Sequence, residues 1–475
     1  MFRSRRRVFS AVLVLATIIS WNTWRGPLIL SSVSQFKLHN PRTSPSSSSP
    51  DAFFDLLAQY FVNYLPNGSS NADRFGEMGS RVRILRDWIS ISDSRNGALD
   101  DTVEPVMLQM FPFLQNPSKP DNKAPFRRLR QAFKPGSRGI VIPTGLDTFR
   151  YAGHLVLAIR NVHNSDLPIQ IVYAGDDDLP LRNRRMLADL VKDIEFLDVL
   201  QVFDDETLKL RSGGWAIKAF AALASKHENT ILLDADSVFV QAPEAVFKQQ
   251  GYKDTGALLY HDRLLWQHRF RDRHDWWKKQ MEHHNASDTL LKSLVWMEDY
   301  AEEGDSGLVA IDKGRLSVLL GLLHICWQNT YEVREEITYK ITYGDKESWW
   351  FGFELSGTTF AFEKHYGSIL GWKQIDADEA EKVCSFTIAH TDDDDKLLWY
   401  NGSLLKNKAV DNETFELPTH WMMDGTWLKG GSKPEISCMR DAIPKSLTVD
   451  ETNILEKSIE EAKRFDTLAR SMLNT

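Results

Sequence analysis

Asp234-Ala235-Asp236 is the pair whose residue types and spacing point most directly to chemistry. It follows the apolar run Ile231-Leu232-Leu233 and precedes Val238-Phe239-Val240. On extended backbone, side chains at i and i+2 point to the same side. Two carboxylates so close at the edge of a core repel one another unless a cation joins them, and hard oxygen ligands favour Mg²⁺ or Mn²⁺. The competing role for the pair is capping. The same spacing recurs at Asp176/Asp178, at Asp376/Asp378 and within Asp392 to Asp395, but among polar residues, where it reads as caps or solvated loops.

The elements around this pair follow from periodicity. The run from Gly139 to Thr144 reads as a buried strand, and Phe149, Ala152, Val156 and Ile159 form one face of a helix. Leu167 to Ala174 and Phe196 to Phe203 read as further strands, Trp215 to Ser225 as a helix begun by Gly213-Gly214, and Thr230 to Leu233 as a fourth strand. This alternation predicts an α/β domain with a mostly parallel, twisted sheet flanked by helices. Ligands of such sheets sit at the carboxyl ends of strands, where Asp234 and Asp236 fall. Further on, Glu303 to Gly307 precedes the apolar strand Leu308 to Ile311, with glycines that let backbone approach a ligand. Gly344 to Ser348 precedes an aromatic helix from Trp349 to Leu355; there Asp345 suits an N-cap and Glu347 the first turn. Trp266 to Trp296 is rich in His, Arg and Trp and reads either as part of a binding site or as a packed helical insert.

Composition bounds the function class. The chain has 475 residues, 42% of them hydrophobic and 26% charged, which excludes a disordered main body. The formal charge of −8 is a poor match to a nucleic-acid backbone, so no nucleic-acid partner is expected. The 15 Trp suit either sugar-stacking surfaces or a large core. Cys326, Cys384 and Cys438 allow at most one disulfide, in any of three pairings, and no CxxC is present. Arg3, Arg5, Arg6 and Arg7 precede the uncharged run Val8 to Trp24, which reads as a short signal-anchor with a cytosolic N-terminus; a cleaved signal peptide is the alternative. Sequons at Asn67, Asn285, Asn401 and Asn412 agree with a lumenal body. Ser31 to Pro50 holds eight Ser and three Pro and reads as a flexible stem.

The segments LDADSVF, GALLYHDR, GDSGLVAIDK and YGDKESWWFGFEL, in that order and after LPIQIVYAGDDDL, resemble the fungal α-1,3-mannosyltransferases of glycosyltransferase family 71. The resemblance covers about 139–405 together with the anchor and stem. It implies a GT-A nucleotide-sugar-binding fold, GDP-mannose as donor, Mn²⁺ (or Mg²⁺) as cofactor and retention of anomeric configuration. It further implies a mannosylated glycan acceptor and a type II Golgi membrane protein with its catalytic domain in the lumen. The organisation expected is tail 1–7, anchor 8–24, stem 25–50, helical preamble 51–138, catalytic domain 139–405 and C-terminal extension 406–475. On this reading Asp234 and Asp236 hold the metal, and Asp234, Lys218 and Arg211 contact the donor. Asp305 faces the cleft, while Asp345, and after it Glu347, lie near the anomeric carbon. Glycogenin-like retaining enzymes end in a similar H-x-x-x-x-x-K-x-x-W segment; its spacing here makes His390 a third metal ligand and Lys396 a diphosphate contact. Retention by a carboxylate nucleophile, or by attack on the face that the diphosphate leaves, stays open. The rivals are a UDP-sugar-dependent retaining transferase and an inactive, membrane-tethered carbohydrate-binding protein.

Overall fold

The computed structural model describes residues 50–473, apart from 65, 67–69, 118–123, 376–378 and 433. The anchor, most of the stem, the Asn67 sequon and the Asp376/Asp378 pair therefore lie outside the described residues. Four helices open the described chain: α1 (Pro50–Asn63), α2 (Phe75–Ser94), α3 (Asp100–Met110) and α4 (Pro125–Ala132). Phe75, Met78, Val82, Leu85 and Ile89 of α2 recur at helical spacing and are buried.

Strand–helix alternation then begins at Lys134. The first half comprises β1 (Lys134–Pro143), α5 (Phe149–Leu157), β2 (Ile169–Tyr173), α6 (Leu181–Leu190), β3 (Ile194–Asp198), α7 (Ile217–Ala224) and β4 (His227–Leu233). The second comprises β5 (Ser237–Phe239), β6 (Ala257–His261), β7 (Gly304–Asp312), α8 (Leu316–Gln328), α9 (Lys346–Ser356) and β8 (Ala361–Phe362). The main sheet has the order β3-β2-β1-β4-β7-β6-β8. Its β1, β2, β3 and β4 pair in parallel, as do β6 and β8, whereas β7 runs antiparallel to both neighbours. Strand β4 is covered on both faces and ladders on both edges, so its run of Ile231, Leu232 and Leu233 is wholly buried.

Three expectations need correction. The third strand stops at Asp198, because Asp198 accepts from the Leu200 N–H and starts a 3₁₀ turn. The apolar segment Cys384 to Ala389, which reads in the sequence as one strand ending at His390, is two strands. β10 (Glu381–Ser385) ends where Ser385 Oγ accepts from Thr387 N–H, and β11 (Ile388–Thr391) joins another sheet. Asp305 does not precede its strand but lies inside β7.

A second lobe is a sheet of order β16-β17-β10-β9-β15-β18, with β9 (Ile369–Ile375), β15 (His420–Met422), β16 (Thr426–Leu428), β17 (Ser437–Arg440) and β18 (Lys445–Ser446). Cys384 and Cys438 face each other across β10 and β17 and form a disulfide; Cys326 is buried and free. β11, β12 (Leu397–Asn401) and β5 make a small sheet between the lobes, and β13 (Leu405–Asn407) with β14 (Asp411–Phe415) makes a hairpin. The last helix, α10 (Val449–Leu473), is part of the α/β core. Its Phe465 is fully buried and occupies the space that a side chain at Gly153 of α5 would fill. Arg150 and His154 of α5 bind Asp466 at 2.6 and 2.7 Å. Trp88, Trp277, Trp349, Trp350 and Trp399 are among the largest fully buried side chains, so much of the Trp content serves the core. Among the described residues no helix is long and apolar enough to cross a membrane.

Candidate active site

A cleft of about 1260 Å³ opens at the carboxyl ends of β1 and β4. Its floor includes Asp234, Asp236, Asp305, Ser306, Asp345 and Lys218. Asp234 and Asp236 are not on extended backbone. They occupy the turn between β4 and β5, closed by Ser237 N–H donating to Asp234 O at 3.1 Å. The Asp234 N–H donates to Gly307 O at 2.8 Å, and Asp236 O accepts from Ser403 N–H at 2.8 Å. Backbone bonds to β7 and to the chain after β12 thus fix both carboxylates at the cleft.

Each carboxylate already meets a lysine. Lys218, buried on α7, places Nζ 2.9 Å from Asp234 and 3.3 Å from Asp345, and donates to Ser306 O and Oγ, both at 2.7 Å. Burial would lower its pKa, but the two aspartates raise it, and the net direction is up. Asp236 pairs with Lys408, which follows β13 and lies over the Tyr151 ring. Burial brings the Lys408 ammonium down to about 8. Lys408 was not among the residues that spacing singled out. It lies far from the D-x-D in sequence and carries no motif, so only the packing of the β13–β14 hairpin brings it here.

Asp305 is held behind this pair. Its Oδ1 accepts from Gly307 N–H at 2.8 Å and from the Asn401 side-chain amide at 3.1 Å, and Oδ2 faces His390 Nε2 at 3.1 Å. A side chain at Gly307 would meet that amide at 2.6 Å, so the second glycine of the G-D-S-G segment is required by close packing. Burial pushes the Asp305 carboxyl up, but the hydrogen bond and charge of His390 outweigh it and hold it below the usual carboxylate range. Asp345, at the start of α9, is also buried; it accepts from Trp349 Nε1 at 2.8 Å and from Ser306 Oγ at 3.3 Å. Gly344 before it has φ +68° and lies against Trp215, where a side chain would clash.

Three expected site residues sit elsewhere. His390 lies within β11 with no side-chain exposure, stacked on Trp399 at 4.3 Å. Burial alone would lower its pKa, but Glu363 and Asp305 raise it to about 9. Carboxylates at both nitrogens favour the charged ring, and His390 does not line the cleft; in this arrangement it holds Asp305. Lys396 is in the turn between β11 and β12, at the opposite end of β12 from Asn401, which lines the cleft. It is 68% exposed and among the described residues pairs with Asp394, at 3.6 Å, away from the cleft floor where a diphosphate would bind. Glu347 points into the core. It accepts from the Glu303 and Gly304 N–H groups at 3.0 and 3.4 Å and from Trp350 Nε1, and burial pushes it up to about 8. Arg211 does line the cleft, beside Asp177 at 3.1 Å.

The donor set fits a hard divalent cation shared with a phosphorylated ligand. Asp234 and Asp236 present carboxylate oxygens to the cleft from a single turn. Among the described residues no cluster of three or more His, Cys, Asp or Glu could hold an ion alone, so phosphate oxygens and water would complete the shell.

A family model described as "Mannosyltransferase putative" matches residues 137–392. The chain is 27% identical over 324 residues to "Alpha-1,3-mannosyltransferase MNN1" of Saccharomyces cerevisiae, covering 57% of this chain and 41% of that protein. It is 27% identical over 293 residues to "Alpha-1,3-mannosyltransferase MNT3" of the same yeast, covering 54% and 45%. The matches thus span less than half the length of these relatives. Among solved structures, the galactosyltransferase LgtC aligns with TM-score 0.31 and 14% identity over 47% of this chain and 73% of that one. The bifunctional glycosyltransferase WbbM aligns with TM-score 0.32 and 8% identity over 48% and 39%.

Proposed function

The chain belongs to the family of fungal α-1,3-mannosyltransferases, and from that premise we propose that it is a retaining glycosyltransferase of GT-A type that moves α-mannose from GDP-mannose to a mannosylated glycan. The observation that carries the proposal is the convergence of Asp234, Asp236, Asp305, Asp345 and Lys218 in one cleft at the end of β4. A diphosphate is an improbable guest for four carboxylates alone. Lys218 and Lys408 supply positive charge beside them, and Mn²⁺ or Mg²⁺ on Asp234 and Asp236 would supply the Lewis acidity and the remaining charge.

The chain's own residues divide the work. Lys408 lies at the carboxylate that faces the diphosphate, and Lys218 holds Asp234, Asp345 and Ser306 in one arrangement. As the C1–O bond to the diphosphate breaks, positive charge grows on the sugar ring. Asp305 stays ionised because His390 and the Gly307 N–H favour its charged form, and it stabilises that charge. The new C1–O bond forms to an acceptor hydroxyl, whose proton passes to a diphosphate oxygen. Asp305 and Asp345 have both oxygens engaged in hydrogen bonds, which favours this route over a covalent glycosyl-enzyme.

The anchor call extends to location: a type II Golgi membrane protein with a lumenal body. The Arg-led run Val8 to Trp24 supports it, and so does the Cys384–Cys438 disulfide, which suits an oxidising compartment. The test of function is turnover of a panel of GDP- and UDP-sugars by the full chain in detergent, with and without Mn²⁺. Mn²⁺-dependent release of GDP from GDP-mannose is expected. Release from UDP-sugars only, or turnover indifferent to the metal, contradicts the proposal.

A further inference from the structure

The cleft has a second wall that the donor chemistry leaves unused. β10 and β17 pair with Cys384 opposite Cys438 and Ser385 opposite Ser437, and the disulfide joins them at that register. Just beyond it both chains enter the cleft, as Ser385, Phe386 and Ile388 on one side and Lys429 to Ser432 with Glu435 on the other. Phe386 is 37% exposed and lines the cleft, so part of its aromatic side chain is open to a ligand. Lys429 makes no ion pair among the described residues, and burial lowers its pKa, with Arg263 adding to the effect. Glu435 Oε2 accepts from Gly431 N–H at 3.0 Å, and among the described residues no hydrogen bond engages its second oxygen.

This wall lies next to the reacting centre. Ile388 pairs with Asn401, and the Asn401 amide donates to Asp305 at 3.1 Å. Phe386 is two residues before Ile388, so at most about 7 Å of chain separates them, roughly the breadth of a sugar ring. Among the described residues the charges near Lys429 are mixed: Arg263 and Lys346 are both bound to Asp262, Lys346 also lies near Glu302, and Glu435 lines the same cleft. An aromatic side chain, a donor and an acceptor lining the same cleft suit a neutral hexose, whose C–H face packs on a ring while its hydroxyls take polar groups.

We propose that the disulfide-tied lobe carries the acceptor subsite. Phe386 is the platform for a neutral hexose, Lys429 donates to its hydroxyls and Glu435 accepts from them. The disulfide holds the two halves of this wall in register, so the subsite depends on oxidation while the donor site, built on β4, β7 and α9, does not. The inference rests on the proposed transferase reading.

The experiment uses the full chain in detergent, GDP-mannose as donor and methyl α-D-mannopyranoside as acceptor, with GDP affinity in Mn²⁺ measured alongside. Phe386→Ala is expected to raise the acceptor KM by about tenfold and to leave the GDP Kd within about twofold, while Phe386→Tyr restores the KM. Lys429→Gln is expected to raise the same KM by about fivefold. Cys384→Ser/Cys438→Ser should lose transfer to the acceptor yet bind GDP as the parent does. An unchanged acceptor KM in Phe386→Ala and Lys429→Gln overturns the proposal, and so does a parallel loss of GDP affinity in the variants. A parent chain that binds no GDP in Mn²⁺ refutes the transferase reading instead, a result visible before any variant is made.

Discussion

Two acid-rich turns of this protein look alike in sequence and differ in what the fold does with them. The Asp234–Asp236 turn joins β4 to β5, and its carboxylates meet lysines brought from α7 and from beyond β13. The Asp392–Lys396 turn joins β11 to β12, and its acids are taken up by backbone N–H groups and by side chains packed against the hairpin tip. Asp392 Oδ1 accepts from the Asp394 and Lys396 N–H groups at 2.9 and 3.0 Å, and Asp393 accepts from Gln250 N–H at 2.6 Å. Asp395 binds Lys364 and His365. The first turn ends a doubly buried central strand; the second tips a hairpin exposed to solvent. Asp392 and Asp393 are held by backbone N–H groups at a hairpin tip, whereas Asp234 and Asp236 meet lysines at the floor of the cleft, where a ligand can reach them.

The largest expected effect sharpens this difference. Asp236→Ala should reduce transfer by about a thousandfold and, by leaving Lys408 without its partner, lower the metal-free melting temperature modestly, whereas Lys396→Ala should stay within about twofold on transfer. Comparable losses in both variants would erase the distinction between the turns. Lys408→Met comes next. It should weaken GDP binding and transfer by about a hundredfold, and a parent-like Kd would remove Lys408 from the donor site.

His390→Gln tests the residue that links the two regions, because it stands on β11 yet acts on Asp305. Leaving Glu363 and Asp305 buried without the imidazolium should cost about 3 kcal/mol of stability, read by denaturant titration at pH 7. The pH dependence has a fixed sign. The His390 value of about 9 lies above the ordinary histidine value near 6.5, so its contribution is fully present below pH 6.5 and is lost as pH rises through about 9. The stability gap between parent and variant should therefore shrink between pH 7 and pH 10; a constant gap would show that His390 is not an imidazolium.

Glu347→Gln is the smallest effect. Its folded value of about 8 exceeds the ordinary one near 4.3, so the parent loses stability as pH rises from about 4.3 through about 8. The variant should show a flatter melting temperature across that range with transfer within about threefold. A collapse of transfer would return Glu347 to the cleft.

These contrasts also show what a sequence carries. Strand β4 and the cleft position of Asp234 were legible because an apolar run ending in acids has few other uses in an α/β sheet. The Asp345/Glu347 pair was half legible. Both flank the start of one helix, but only tertiary packing turns Glu347 toward the Glu303 and Gly304 N–H groups and Asp345 toward Lys218. His390 and Lys396 matched a spacing, yet spacing along a hairpin does not say which end meets the cleft. Lys408 and the pairing of Cys384 with Cys438 depend on long-range register, which no local pattern encodes.

The central claim is that the Asp234–Asp236 turn binds a metal-linked nucleoside diphosphate. Calorimetric titration of GDP into the parent and into Asp236→Asn, each with and without Mn²⁺, tests it most directly. The account predicts GDP binding that requires Mn²⁺ in the parent and is lost in Asp236→Asn, which still unfolds in a single cooperative transition. Equal, metal-independent GDP affinity in both proteins would contradict it.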